Sequence, residues 1–147
     1  MAEYIAVPVQ TVALNQPVIF TASIPCNKGI VIHDDGTGIF ILRGTTNNCF
    51  ARYEITFNGN IAIPTGGALS DIAIAISQNG ETRQDSLAIF SPAAVDTLGN
   101  VTSTATVTVP RGCCFNIAAR YVPANATETP TPAINVQNAS LRITRVA

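Results

Sequence analysis

The sequence predicts an all-β fold, an antiparallel sandwich or jelly roll of about ten short strands. Apolar and β-branched residues alternate with polar residues at a period of two along most of the chain. Clusters of Gly, Pro, Asn and Asp separate these runs at intervals of about 8 to 15 residues. No stretch carries an apolar stripe of helical period flanked by capping residues, so almost no helix is expected.

The first half of the chain contains the least regular predicted elements. Residues 1–14 alternate poorly and are expected to form either an arm that docks on a partner or neighbouring subunit, or an edge strand. A strand is predicted over 17–24. A hairpin follows, in which IVIH (30–33) and IFILR (39–43) flank the turn DDGTG (34–38).

The second half alternates more clearly. The further predicted strands are CFARYEITF (49–57), DIAIAIS (71–77), LAIF (87–90), VTSTATVTV (101–109), CCFNIAA (113–119) and INVQNASLRITRV (134–146). The predicted turns are NGN (58–60), PTGG (64–67), QNGE (78–81), LGN (98–100), PRG (110–112) and PANATETPTPA (123–133). Residues 15–147 are therefore expected to form one jelly-roll domain.

The composition predicts burial between subunits. Hydrophobic residues make up 47% of the 147 residues and charged residues only 12%, about half the usual charged share. Obligate oligomer interfaces resemble a domain core and can cover such an apolar excess. The arginines are scattered along a chain of net charge -1, so no nucleic-acid partner is expected. The apolar runs are too short to span a membrane, and the absence of a signal-like start predicts folding in a reducing cytoplasm.

The chain offers little for catalysis. His33 is the only histidine, so any nucleophile activated by an imidazole must use it, and no GxSxG elbow is present. No glycine-rich phosphate loop stands between a strand and a helix. The sequence therefore predicts no catalytic residue, no cofactor and no enzyme activity.

The cysteines and aspartates give no clear metal motif. Cys113 and Cys114 are adjacent rather than two to four residues apart, and strand neighbours point to opposite faces. They are expected to be two small apolar residues entering a buried strand; the alternatives are a Cys26–Cys49 pair or a contact between subunits. Asp34 and Asp35 lack the spacing of a calcium loop and are interpreted as turn residues, so no metal is predicted.

Five segments resemble the TNF/C1q-like jelly-roll family: RYEITFNGNIAI (52–63), IAIAISQNGE (72–81), IFSPAAV (89–95), TSTATVTVPRG (102–112) and NASLRITRVA (138–147). The resemblance is to the domains that tip the collagen-like glycoproteins of bacterial exosporium and to small head-decoration and fibre proteins of tailed bacteriophages. It implies a ten-stranded, homotrimeric jelly roll. The apolar candidates divided between monomer core and trimer seam are Tyr53, Ile55, Phe57, Ile72, Ile74 and Ile76.

The resemblance also implies a function. A trimeric capsid decoration protein is expected on the virion exterior, with the major capsid protein lattice as partner. The candidate docking residues are Tyr4, Ile5, Val7 and Val9. The alternatives are a trimeric binding module and a spore or cell-surface assembly protein. In the first alternative, loops 64–70, 78–86 and 123–133 recognise a host surface glycan or receptor. The second is disfavoured because no Gly-X-Y stalk precedes the domain.

Overall fold

A computed structural model describes residues 2–23, 31–33, 36–124 and 131–146 of the chain. Within them lie twelve strands: β1 (Ala2–Ala6), β2 (Gln10–Ala13), β3 (Ala22–Ser23), β4 (Val31–Ile32), β5 (Phe40–Arg43), β6 (Phe50–Ala62), β7 (Ile72–Gln78), β8 (Glu81–Thr82), β9 (Ala88–Phe90), β10 (Gly99–Pro110), β11 (Cys114–Pro123) and β12 (Ala133–Arg145). The helical content of these residues is a single 3-10 turn, Gln84–Ser86. The predicted all-β class is confirmed.

The strands form two antiparallel sheets that pack face to face. The first sheet has the order β10-β6-β12-β1-β3, with β2 pairing β12 beyond the end of β1. The second has the order β4-β5-β11-β7-β8, with β9 pairing β7. Strands distant in sequence thus become neighbours in each sheet, as in a jelly roll. The long strands of the first sheet position the surfaces considered below. No described helix is long and apolar enough to cross a membrane.

The core lies between the sheets and is complete within one chain. The six candidates for core or trimer seam are Tyr53, Ile55, Phe57, Ile72, Ile74 and Ile76. Each of them is 0% exposed and belongs to a single hydrophobic cluster. A second subunit can cover only surface that one chain leaves exposed, so the expectation that some of these residues form a trimer seam is wrong.

Strand β7 is buried on both faces. Ile72, Ile74 and Ile76 belong to the main core, whereas Ala73 and Ala75 on the other face form a small cluster with Val122. Side chains alternate across a strand, and here the outer side is covered as well. The small alanines on that face allow Leu87 and Ala124 of the same chain to pack against the strand. This explains the uninterrupted apolar run in the sequence.

The turn predicted at 58–60 is wrong, because β6 continues through Asn58, Gly59 and Asn60. A side chain at Gly59 would bring a Cβ within 3.0 Å of the ring of Phe57 and 3.5 Å of the Cα of Ala139. The glycine therefore makes room for a core aromatic ring rather than for a turn. The opposite strand β12 is irregular here, since its register with β6 shifts between Gln137 and Ser140.

The N-terminal segment lies in the first sheet. Strand β1 pairs with β12 on one side and β3 on the other, and β2 pairs with β12. Residues 2–6 are thus neither an arm nor an edge strand.

The strand predicted at 17–24 is discontinuous. It consists of single bridges at Pro17 and Phe20, then β3 at its described end. Pro17 lacks the amide hydrogen that a continuous ladder needs.

Tyr121 belongs to the main core and lies near the start of β12. Its side chain is buried, and its hydroxyl donates a hydrogen bond to the carbonyl oxygen of Thr131 at 2.6 Å. Burial raises the pKa of Tyr121 from its ordinary value of 10.0 to about 12. The unfolded chain therefore releases this proton at a lower pH than the folded chain does.

The Tyr121→Phe variant should show a smaller loss of stability in alkali. Stability that the neutral tyrosine contributes is fully present below pH 10.0 and is lost as the pH rises to about 12. Near neutral pH the variant should be less stable by about 1 kcal/mol, since the Thr131 carbonyl loses its donor. Denaturant unfolding of both proteins across this pH range measures the two effects. If the free energies of unfolding of the two proteins fell equally between pH 10 and pH 12, Tyr121 would not be the group whose raised pKa destabilises the fold in alkali.

Candidate interaction surfaces

The outward face of the first sheet is mainly polar. Along β10 the side chains of Thr102, Thr104, Thr106 and Thr108 are all exposed, while the alternate residues face the core. We call these four residues the threonine face. Among the described residues, β10 pairs with β6 alone, so it forms one edge of the sheet. An edge strand of twelve residues has backbone groups that no neighbouring strand pairs, of which the Thr106 carbonyl accepts a hydrogen bond from Arg83.

An apolar patch interrupts this polar face at one corner. Val7 is 58% exposed, Val9 is 55% exposed and Leu98 is 52% exposed. Val9 and Leu98 line a shallow pocket of about 160 Å³ that is floored by Ala62 and edged by Asn135 and Gln137. We call Val7, Val9 and Leu98 the outer patch. Leu98 was predicted only as part of a turn; an apolar residue directly before a Gly-Asn pair was the available signal.

Of the four candidate docking residues, two are exposed, one is half-buried and one is buried in the core. Val7 and Val9 lie in the outer patch and are exposed. Ile5 is half-buried on the same side of the sheet. Tyr4 is 1% exposed and packs its ring against Phe40 at 4.6 Å, so its assignment to docking is wrong. Alternation in β1 turns Tyr4 into the core.

The three loops suggested for glycan or receptor recognition do not form one surface. The loop 64–70 meets the start of β12, where the hydroxyl of Ser70 accepts a hydrogen bond from the Thr131 amide. The turn at Asn79 and Gly80 lies at the opposite end of β7, a distance of about 20 Å along the strand. Residues 125–130 of the third loop lie outside the described residues.

A polar pocket of about 490 Å³ borders the β7–β8 hairpin. It is lined by Gln78, Asn79, Glu81, Thr82 and Arg83. The guanidinium of Arg83 already donates to both carboxylate oxygens of Asp85, to Gln78 and to the Thr106 carbonyl. The hydrogen bond from Arg83 lowers the pKa of Asp85. Arg83 thus holds the 3-10 turn against β10, and the side chain of Asn79 accepts a hydrogen bond from the Asn116 amide at 2.9 Å.

The end of the sandwich opposite the 64–70 loop carries three exposed free cysteines, Cys49, Cys113 and Cys114. The expectation of two buried apolar residues at 113–114 is wrong. Cys113 belongs to the tight turn before β11, where its amide donates to the Pro110 carbonyl, and Cys114 is the first residue of the strand. The strand becomes buried only from Ile117 onward. Cys26 lies outside the described residues.

Four arginines share this end, although they are dispersed in the sequence. Arg43 pairs with Cys114 across β5 and β11, and the Arg111 amide donates to the Cys49 carbonyl. The Arg52 carbonyl accepts from the Val146 amide, and Arg145 donates to the Thr45 carbonyl at 2.8 Å. We call the cysteines Cys49, Cys113 and Cys114 with the arginines Arg43, Arg52, Arg111 and Arg145 the cysteine end. Sequence spacing did not predict it, because sheet pairing alone brings these residues together.

His33 is placed against aromatic rings. Its ring stacks on Phe40 with centroids 4.2 Å apart, and Nε2 donates to the Thr37 carbonyl at 2.9 Å. No group of three His, Cys, Asp or Glu side chains that could hold a metal occurs in the described part of the chain. Asp34 and Asp35, the weak calcium candidates, are outside that part.

Comparisons with known proteins bear on the fold. No protein-family model matches the sequence, and no curated protein matches it significantly. The globular domain of zebrafish complement 1qA aligns with 11% identity and a TM-score of 0.59, covering 95% of this chain and 92% of the other. The Eiger TNF of S. frugiperda aligns with 10% identity and a TM-score of 0.64, covering 100% and 92%. The chain therefore has the TNF/C1q-like jelly-roll fold.

Proposed function

We propose that the protein is a non-enzymatic structural protein that assembles as a homotrimer and decorates the exterior of a tailed-phage capsid. It would fold in the host cytoplasm and dock on the lattice of the major capsid protein. The observation that carries this proposal is the outer patch. The chain completes its own core and yet leaves Val9 and Leu98 more than half exposed around one pocket, with Val7, also more than half exposed, two residues from Val9.

The outer patch has the properties of a docking site. Single exposed apolar residues are ordinary, but apolar residues grouped around a pocket with a polar rim mark interaction sites. The rim is formed by Asn135, Gln137 and Asp96. Only 12% of the residues are charged, which lowers the desolvation cost of burying such a surface against a protein lattice.

The threonine face supports the homotrimer. Its four hydroxyl side chains are exposed and uncharged, and they lie on a strand at the edge of the sheet, which a closed assembly can cover. The resemblance to the TNF/C1q-like family implies the same oligomeric state. Trimer contacts on β10 and docking through the outer patch use adjacent, distinct parts of one sheet.

The native mass should correspond to three chains of 15.4 kDa, or about 46 kDa, with and without reductant. Sedimentation or light scattering measures it. Thr104→Arg adds a charge and a long side chain to the threonine face, and it should shift the mass toward 15.4 kDa. Asn116→Arg on the second sheet is the matched control and should stay trimeric. A monomeric parent protein would remove the trimer from the proposal.

Decoration is tested by adding the purified protein to heads of the phage that carries its gene, prepared without it. Saturable binding with a fixed number of chains per capsid subunit is the expected result. Binding that rises without limit, or no binding by a trimer that is intact in solution, would contradict decoration.

A glycan-binding module is the second candidate, favoured by the polar pocket at 78–83. Its amide and hydroxyl side chains, Gln78, Asn79 and Thr82, suit the hydroxyl groups of a sugar, with the amide oxygens of Gln78 and Asn79 already accepting hydrogen bonds from Arg83 and Asn116. Immobilised sugars separate the candidates. Binding that Thr82→Ala weakens and Leu98→Asp leaves intact would favour this module over decoration.

A further inference from the structure

The exposure of the three cysteines calls for an explanation. Free cysteine is among the residue types most often buried, yet Cys49, Cys113 and Cys114 are all exposed. Cys49 lies in the loop before β6, Cys113 lies in the loop between β10 and β11, and Cys114 begins β11. Backbone hydrogen bonds tie these loops together: the Gly44 amide donates to the Cys113 carbonyl at 2.9 Å, and the Gly112 amide donates to the Gly44 carbonyl at 3.1 Å.

The close contact at Gly44 fixes this arrangement. A Cβ at Gly44 would lie 2.1 Å from the carbonyl oxygen of Pro110 and 3.2 Å from that of Cys113. Only glycine lets the two loops approach so closely. The thiols are therefore held by a packed pair of loops rather than by an open, separate segment.

The charge around these thiols is positive. Arg43, Arg52 and Arg111 are exposed, and Arg145 is half-buried. Segments 43–52, 110–114 and 145–146 contain no acidic residue. Glu54 stands two residues along β6 from Arg52 on the same face and offsets part of the charge. Reactive cysteines are characteristically found in exposed, electropositive surroundings of this kind.

We propose that the cysteine end is a modification site at which a cysteine forms a reversible mixed disulfide with a small anionic thiol. The co-reactant is the disulfide of that thiol. The cysteine sulfur attacks one sulfur of the disulfide as a thiolate, and a new S–S bond forms while the old one breaks. The departing sulfur leaves with the electron pair and takes up the proton that the cysteine released. The cysteine is oxidised, and the co-reactant is reduced by the same two electrons.

The arginines select for the charge of the co-reactant. A dianion about 10 Å from one arginine in water gains enough Coulomb energy to raise its local concentration about threefold at low salt. Two exposed arginines would together give about tenfold. A neutral disulfide gains nothing. This inference does not rest on the proposed decoration, since it concerns the opposite end of the first sheet from the outer patch.

The test compares two disulfide reagents on the native, full-length protein. Dithiobis(nitrobenzoate) carries two carboxylates, whereas dithiodipyridine is uncharged at neutral pH. The measured quantity is the rate constant of the dianionic reagent divided by that of the uncharged reagent. We expect this ratio to be about tenfold lower at high salt than at low salt. Mass spectrometry should find the first label on Cys49, Cys113 or Cys114.

Variants locate the effect. Arg111→Gln should lower the rate ratio about threefold at low salt, and Arg52→Gln with Arg111→Gln about tenfold. Arg142→Gln removes the same charge from the same sheet, where Arg142 pairs with Glu3 at 3.5 Å, and should leave the ratio unchanged. The triple change of Cys49, Cys113 and Cys114 to serine should abolish the fast labelling while Cys26 remains.

Three outcomes would overturn the proposal. They are a rate ratio that is independent of Arg111, fast labelling that persists in the triple serine variant, and thiols that react only after unfolding. The native mass of the same samples is measured in parallel. Loss of the trimer, which would affect the proposed function, is therefore distinguished from a lack of thiol reactivity, which would affect only the present proposal.

Discussion

Replacing Phe57 by alanine is expected to lower the free energy of unfolding by about 3 to 5 kcal/mol. The Phe57 ring is 0% exposed at the centre of β6 and lies edge-on to Phe20 at 6.4 Å between centroids. Its removal loses the transfer free energy of the ring and leaves a cavity between the sheets. Gly59, which lies against this ring, cannot fill the space.

Chemical denaturation of Phe57→Ala and Phe50→Ala measures the effect against a matched control. Phe50 lies in the same strand but is 40% exposed, with Arg52 over its ring at 5.3 Å. Phe50→Ala should lower the free energy of unfolding by about 1 kcal/mol or less. Equal losses in the two variants would mean that the two sheets do not pack around Phe57 as described.

The alternation of apolar residues was sufficient to predict the long strands. Strand β10 has Val101, Val107 and Val109 inward and threonines outward, and a period of two admits no other regular structure. The hairpin turn at Asn79 and Gly80 was equally predictable. Both residues have positive φ, 51° and 87°, which the Asn-Gly pair favours.

Predictions from local sequence were wrong where a distant contact decides the structure. Asn58-Gly59-Asn60 carries the same turn signal as Asn79-Gly80, yet it continues a strand. Its outward asparagines pair with β10, where Asn100 donates to the Asn60 side chain at 3.1 Å. The ring of Phe57 occupies the space that Gly59 leaves. Neither contact can be inferred from the three residues themselves.

The candidate surfaces also depend on contacts between residues that are distant in the sequence. Val7 and Val9 were predicted as docking residues because they are apolar and near the terminus, and both are exposed. Leu98 joins them only because β10 and β2 flank the same end of β6 and β12. The cysteine end likewise brings residues 43–52, 110–114 and 145 together through strand pairing. The sequence alone could not predict either cluster as a unit.

Replacing Leu98 by aspartate is expected to weaken docking on undecorated capsids by about thirtyfold or more. Leu98 is 52% exposed and lines the outer-patch pocket together with Val9. In the docked state the new carboxylate would be buried against apolar groups without a partner, which costs several kcal/mol. Loss of a central apolar anchor alone typically costs about 2 kcal/mol.

Val146→Asp is the matched control, since Val146 is 49% exposed and lies at the cysteine end, away from the outer patch. It adds the same charge and should bind capsids as the parent protein does. The native mass of both variants should remain near three chains, because the threonine face is untouched. If Leu98→Asp instead dissociates the assembly, the outer patch belongs to the seam between subunits. Docking would then use another surface, and decoration through Val7 and Val9 would be refuted.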